Sequence, residues 1–509
     1  MTARVLMVQG ASSSAGKSLL VAGLCRIFTR RGLRVAPFKA QNMSNNAAVC
    51  PDGAEIGRAQ AVQALAAGVP LSADLNPVLI KPEADTRSQV IVMGRPFKTL
   101  GAVEYYDYKQ ILWGYVTAAL DRLRLDHELV IIEGAGSPVE LNLKENDIVN
   151  MAVACYAQAA VLLVGDIDRG GIFAQLLGTL WLLEPEERQL VRGLVVNKFR
   201  GDPALFTDGI CILEQKSGLP ILGVIPYLKD LHIPEEDAVA LETDTSVPSS
   251  EKTDLIDIAI LHLPRISNFD DFDPFRSDPG VRVRYVNSPR ELGQPDAIIL
   301  PGTKSTSADL EWLRRSGLAE PILQFARQGG AVVGICGGYQ MLGTALHDPQ
   351  QVESRQETTP GLALLPVETV FVQEKATYQA RARISAASGW MSVLNGESLA
   401  GYEIHMGRTE SASAWLQILE RNAHPVCLPD GAASPDGRIW GCYLHGLFAN
   451  PQLRHAWLTS LGWHSEAASP PDFPTSARQP IVQSSFDRLA DALEDALDMP
   501  QLEKIIWET

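Results

Sequence analysis

The sequence predicts an α/β protein built from two doubly wound domains. Three observations carry that prediction. Short apolar runs alternate with helix-length stretches through both halves of the chain, and 509 residues are too many for one core. A small-residue loop ending in Gly-Lys-Ser follows the first apolar run. A cysteine flanked by glycines follows another run in the second half.

In the first half, Val5–Val8, Leu33–Phe38, Leu129–Ile132, Ala160–Val164, Gly193–Val196 and Ile221–Ile225 read as strands, and Ser18–Arg31 as a helix. Runs that are apolar throughout suit a parallel sheet covered on both faces. Residues 1–234 form this domain. Residues 235–254 are polar and aperiodic and read as a linker. Alternation resumes at Ile256–Leu261, Asp296–Leu300 and Ala331–Ile335, giving a second α/β domain over 255–464. A polar, Pro-rich stretch, Ser465–Pro480, opens a C-terminal extension over 465–509. There Phe486–Leu497 carries apolar residues at helical spacing, and the helix is expected to dock on the second domain.

Hydrophobic content of 46% and charged content of 20% describe an ordinary soluble globular protein. The net charge of −16 argues against a nucleic-acid partner, which would need a basic surface. The seven cysteines are odd in number and form no Cys-x-x-Cys pair, as expected in a reducing compartment. Met-Thr-Ala-Arg leads directly into a strand with no visible signal peptide, and no apolar run approaches a membrane span. The expected location is the cytoplasm, with no membrane partner.

Gly10-Ala-Ser-Ser-Ser-Ala-Gly16-Lys17-Ser18 joins the first strand to the first helix. Backbone N–H groups at that helix start, with its dipole, favour phosphate. Lys17 would neutralise outer phosphates of ATP and the Ser18 hydroxyl would ligate Mg²⁺. Five residues, not the usual four, separate Gly10 from Gly16. Glu133 ends an apolar strand beside Gly-Ala-Gly, where a carboxylate needs a partner. Asp52, Glu55 and Asp166 are further acids near expected strand ends, any one of which could complete a Mg²⁺ site.

Cys336 follows the strand Ala331–Ile335, and Gly337-Gly338 permits a sharp turn into a helix. This is the pattern of a nucleophile elbow, and a helix N-terminus favours the thiolate. A cysteine nucleophile needs a base. His445, delivered to a glycine turn by Gly441-Cys-Tyr-Leu, is the candidate, with His405 as its rival. Backbone N–H groups at Gly302 and Gly337 could stabilise an oxyanion.

The five-residue gap resembles the loop of dethiobiotin synthetase and its relatives, ATP enzymes that phosphorylate carboxyl-type groups. That resemblance implies that Lys39, after Phe38, reaches the transferred phosphoryl group. It implies that Glu133 is the Mg²⁺-linked acid and that Asn197 reads adenine; Ser18 joins Glu133 in the expected Mg²⁺ site, with Asp52 as the further candidate. The elbow is similar to that of the class I glutamine amidotransferases, which take the γ-glutamyl group as a thioester and release ammonia. Cys336, Gly338 and Gln340 fall on their pattern, and His445 matches the base. Their glutamate two residues after the histidine is replaced here by Leu447. The cobyrinate-amidating branch shares that departure.

Both halves together resemble the CobQ-type and CobB-type enzymes of cobalamin synthesis over nearly the whole chain. Val8–Ser18, Phe38–Ala47, Gly165–Phe173 and Gly401–Arg408 look like the cobyric acid synthase branch. Gln41, Asn42, Asn45 and Asn46 stand where the a,c-diamide synthases place acids. The resemblance implies ATP, Mg²⁺, L-glutamine and a corrinoid, with amidation of the b, d, e and g carboxylates of adenosylcobyrinic acid a,c-diamide. Asp166, Arg169, His405 and Arg408 are candidates for the corrinoid site, an interdomain packing role being the alternative. The rival readings are an a,c-diamide synthase and, more remotely, a ParA/MinD-like ATPase with a relict amidotransferase domain.

Overall fold

The computed structural model describes residues 2–84, 86–228, 231, 233–234, 255–385, 388–464 and 478–508. The expected linker, 235–254, lies outside the described residues, as does 465–477 of the polar C-terminal stretch.

The N-terminal half is organised by a six-stranded sheet. Its order is Ile221–Pro226, Val191–Phe199, Ala160–Asp166, Arg4–Gly10, Leu129–Glu133 and Val35–Phe38. All neighbours are parallel. Its central strands are apolar on both faces because separate cores cover each side. The first strand has later strands on both sides, so a crevice opens beyond Gly10 at the carboxyl ends. Lys39, Glu133, Asp166 and Asn197 lie at or just beyond the same ends.

The sequence reading missed a smaller sheet in this half, made of Gln41–Met43, Val78–Ala84, Arg87–Val92 and Arg95–Gly101. It faces the second half. Leu79 and Ile91 form one buried cluster with Ala47, Val49 and Ile404.

The second half has its own six-stranded sheet, ordered Val281–Val286, Ile256–Leu261, Ala297–Leu300, Ala331–Ile335, Ile439–Cys442 and Ala432–Ala433. Only the last pair is antiparallel. A further sheet, not anticipated, is built around Glu368–Ile384. That strand pairs antiparallel with Ser398–Glu410 and Leu416–Arg421. Its ends alternate between buried and exposed residues, as a sheet covered on one face requires.

The C-terminal helix exists, spanning Arg478–Ala496, but it docks on the N-terminal half and not on the second domain. Phe486, Leu489 and Leu493 join the core of the helix Lys17–Arg30, and Leu502 and Ile505 of the helix Met499–Trp507 extend it. Gly23 admits this contact, since a Cβ there would lie 2.2 Å from Leu493 Cδ1. Arg26, Arg30 and Arg31 pair with Asp487, Asp491 and Glu494. Those exposed pairs contribute little, and burial of the apolar side chains, about 1.5–3 kcal/mol each, holds the helix. Among the described residues no helix is long and apolar enough to cross a membrane.

Candidate active sites

At the nucleotide site, Gly16 caps the helix Lys17–Arg30 with φ 92°. A Cβ there would sit 2.2 Å from Asn197 Nδ2. Asn197 donates to Ala15 O at 2.8 Å, and Lys198 donates to Ser14 O at 2.7 Å, so both brace the loop from behind. Lys17 is buried and donates to Ser12 O at 3.1 Å and Gly136 O at 3.0 Å.

Glu133 is the centre of this site. Its Oε1 accepts from Ser18 Oγ at 2.8 Å and Lys39 Nζ at 2.9 Å, and its Oε2 from Gln63 Nε2 at 2.5 Å. Burial opposes the charge, but the Lys39 ammonium and these hydrogen bonds hold the carboxyl below its ordinary range. Adjacent oxygens on Ser18 and Glu133 are hard donors that suit Mg²⁺, which takes one or two protein ligands beside phosphates and water.

The structure does not bring Asp52 to this pair. Asp52 is exposed on the turn between Ala47–Val49 and Glu55–Gly57, where its carboxylate accepts from Ala54 N at 3.0 Å. Glu55 is turned toward the second half, paired with Lys81 at 2.6 Å and with Lys375. Asp166 pairs with Lys198 at 2.9 Å and lies 3.6 Å from Arg169. That makes it part of the loop's support.

The thiol site forms where Cys336 turns the strand Ala331–Ile335 into the helix Gly337–Leu342. Its backbone is strained, at φ 53° and ψ −109°. Glycine is required at 338, where a Cβ would lie 1.9 Å from Leu300 O. Cys336 Sγ is 3.5 Å from Ile404 O. His445 is buried, and its Nδ1 lies 2.7 Å from Asp271 Oδ2. A carboxylate only accepts, so Nδ1 carries the proton and Nε2, which Asn268 Nδ2 approaches at 3.5 Å, is the nitrogen that can serve the thiol. Asp271 Oδ1 also accepts from Gly446 N at 2.8 Å. Burial lowers the basicity of the imidazole, but Asp271 and Cys336 outweigh it and raise its pKa to about 10.

Asp271 is the functional residue the sequence reading missed. It stands 174 residues before His445 and in no spacing relation to it, while Leu447 is simply buried core. The available signal was Asn268-Phe-Asp-Asp-Phe-Asp-Pro-Phe, where acids among phenylalanines need buried partners.

Gly302 packs on the histidine, where a Cβ would be 2.9 Å from His445 Cε1. Gly337 lies beside Thr303 N, and its own N–H, in the first helical turn, has no intrahelical acceptor. The Gln340 amide is engaged at both ends, accepting from Thr306 Oγ1 at 2.8 Å and donating to Tyr443 OH at 3.2 Å. His405 stacks on Tyr443 with centroids 3.9 Å apart and lines the cavity at Cys336. Thr306, Lys304, Glu353, Lys375 and, from the N-terminal half, Lys81 line it too. Arg408, by contrast, is exposed and pairs with Glu374 at 2.8 Å.

Comparison with known proteins matches residues 6–239 to the CobQ/CobB/MinD/ParA nucleotide binding domain and residues 257–453 to the CobB/CobQ-like glutamine amidotransferase domain. The chain is 55% identical over 508 residues to the cobyric acid synthase of Chloroflexus aggregans, covering 99% of each chain. It is 55% identical over 506 residues to that of Roseiflexus castenholzii, again covering 99% of each. It is 48% identical over 508 residues to that of Dehalococcoides mccartyi, with 99% of each covered. With both domains matched in order and relatives this similar from end to end, the chain belongs to the cobyric acid synthase family of ATP-dependent glutamine amidotransferase ligases.

Proposed function

We propose that this chain converts adenosylcobyrinic acid a,c-diamide to adenosylcobyric acid, using ATP and glutamine to amidate the b, d, e and g carboxylates. One observation carries the reading. The Cys336–His445–Asp271 group and the Lys17–Lys39–Glu133 group occupy one chain whose halves are packed together, in a sequence alignable throughout with cobyric acid synthases. Gln41, Asn42, Asn45 and Asn46 favour this substrate over the less amidated one.

At the thiol site, Cys336 Sγ attacks the γ-carboxamide carbon of glutamine. The N–H groups at Gly337 and around Gly302 receive the developing oxyanion. His445 Nε2 passes a proton to the departing ammonia, leaving a γ-glutamyl thioester. His445 then takes a proton from water as the thioester is hydrolysed, and glutamate leaves.

At the other site, a carboxylate is a poor electrophile until one oxygen becomes a leaving group. Lys17 and Lys39 neutralise charge as the γ-phosphoryl of ATP passes to a side-chain carboxylate, giving an acyl phosphate. Ser18 and Glu133 would hold Mg²⁺, which supplies further charge neutralisation. Ammonia attacks the acyl carbon and phosphate departs. Ammonium, lacking a lone pair, could not attack, so ammonia released at Cys336 has to reach the acyl phosphate before it is protonated. Arg169, more than half exposed and 3.6 Å from Asp166, is our candidate to meet a corrinoid carboxylate.

Mass spectrometry of the products tests this reading. Incubation with ATP, Mg²⁺, glutamine and the a,c-diamide should yield a species carrying four new amides. Amidation of cobyrinic acid at its a and c positions, with the a,c-diamide left untouched, would contradict it.

A further inference from the structure

We infer that Arg58, contributed by the ATP-binding half, is a positioning residue of the Cys336–His445–Asp271 triad. The thiol site is therefore complete only with the other domain in place. The inference rests on the proposed glutamine hydrolysis at Cys336.

Arg58 opens the helix Arg58–Ala67, and its side chain crosses into the second half. Its guanidinium donates to Tyr402 OH at 2.7 Å, lies 5.3 Å from the Tyr402 ring centroid, and stands 3.3 Å from Asp270 Oδ2. Both targets adjoin the triad. The Tyr402 ring stacks on His445, with centroids 5.1 Å apart and planes 14° from parallel. The two residues also exchange backbone hydrogen bonds, Tyr402 N to His445 O at 3.1 Å and His445 N to Tyr402 O at 2.8 Å. Asp270 directly precedes Asp271, which holds His445 Nδ1.

Arg58 thus grips the ring on one side of the imidazole and the residue next to its carboxylate. Asp270 is buried, and a buried carboxylate requires a counter-charge. Arg58, from the other domain, supplies it.

The remainder of the helix explains why this arginine comes from here. Five residues on, Gln63 donates to Glu133 Oε2 at 2.5 Å and to Ser18 O at 3.4 Å. Gln60 accepts from Asn42 at 2.9 Å, and Arg58 N donates to Asn46 O at 3.1 Å. Five residues rise only about 7.5 Å. A single short helix therefore fixes the nucleotide-site acid at one end and the imidazole's neighbours at the other.

The test compares glutamine with ammonium chloride as nitrogen source in the full-length chain. Arg58→Met should lower kcat with glutamine by about 10- to 100-fold, the range expected when a reacting group is misplaced by about an ångström. KM for glutamine should stay within about threefold, and the ammonium-dependent rate within about twofold. Arg58→Lys, which can keep the Asp270 pair, should recover part of the loss. Tyr402→Phe keeps the stack and drops one bond, so it should lose less than Arg58→Met. Should Arg58→Met fail to fold, Tyr402→Phe decides on the same split. An unchanged glutamine kcat, or parallel loss with both nitrogen sources, overturns the inference. Wild-type enzyme that consumes no glutamine would instead remove the reading beneath it.

Discussion

Replacing Asp271 with asparagine probes the triad at the member that stands in for the glutamate of the class I glutamine amidotransferases. The carboxylate has two duties, one oxygen on His445 Nδ1 at 2.7 Å and the other on Gly446 N at 2.8 Å. An asparagine offers one oxygen. If that oxygen keeps Gly446 N, the amide NH₂ faces Nδ1 and drives the imidazole proton to Nε2, the wrong nitrogen for serving Cys336. The charge is lost as well. A rise of the imidazole from 6.5 to about 10 corresponds to roughly 5 kcal/mol favouring the imidazolium, and after the opposing effect of burial Asp271 leads the groups that produce it. The expected loss in glutamine-dependent kcat is about 10³- to 10⁴-fold, the scale seen when a triad acid becomes an amide. KM for glutamine should barely move, because Asp271 lies behind His445. Ammonium-dependent amidation should be untouched.

The pH dependence sharpens the same test. A folded-state pKa raised above the unfolded value stabilises the fold fully below about 6.5, and the gain fades as pH rises toward about 10. The melting-temperature deficit of Asp271→Asn should therefore be widest near about pH 6 and narrow toward about pH 10. The alkaline limb of its residual glutamine turnover should move toward neutrality. A variant with kcat within about fivefold of wild type, or one that loses ammonium-dependent activity in parallel, would refute the triad assignment.

Lys39→Met removes the ammonium paired with Glu133 and, in the proposed mechanism, the one that meets the transferred phosphoryl, so it should lower amidation at least about 100-fold with either nitrogen source while glutamine hydrolysis persists. Gly16→Ala imposes φ 92° on a side chain, costing about 1–2 kcal/mol, and crowds Asn197. Equilibrium dialysis should find ATP bound about tenfold more weakly or worse. Leu493→Asp would bury a charge against Gly23, and calorimetry should show a markedly lower first unfolding transition for the N-terminal half.

Much of this was legible in the sequence because it is local. The strands around Gly10 and Cys336 are continuous apolar runs ending in turn residues, so their existence, their parallel packing and the residues at their ends follow from spacing. Glu133 was legible for a physical reason, since a carboxylate ending a buried strand must be paired, and Lys39, Ser18 and Gln63 pair it. Asp271 and Arg58 were not legible. Each acts on His445 or its neighbours across more than 170 residues, through contacts that only the folded chain creates. Short strands such as Gln41–Met43 carry too few residues for a period to emerge. The docking of the C-terminal helix depended on Gly23 leaving room for Leu493, and an amphipathic pattern does not say which apolar surface it will meet.

The halves are held to one task by nitrogen, and the most direct measurement separates its source from its use. Cys336→Ala, assayed side by side with glutamine and with ammonium chloride, should lose amide formation from glutamine while forming the same amidated corrinoid from ammonium at close to the wild-type rate. Amide formation from glutamine that survives the substitution would contradict the account, because the neighbouring thiol, Cys442, is buried, directed at Leu444 O and pushed up by that burial, away from the reactive thiolate.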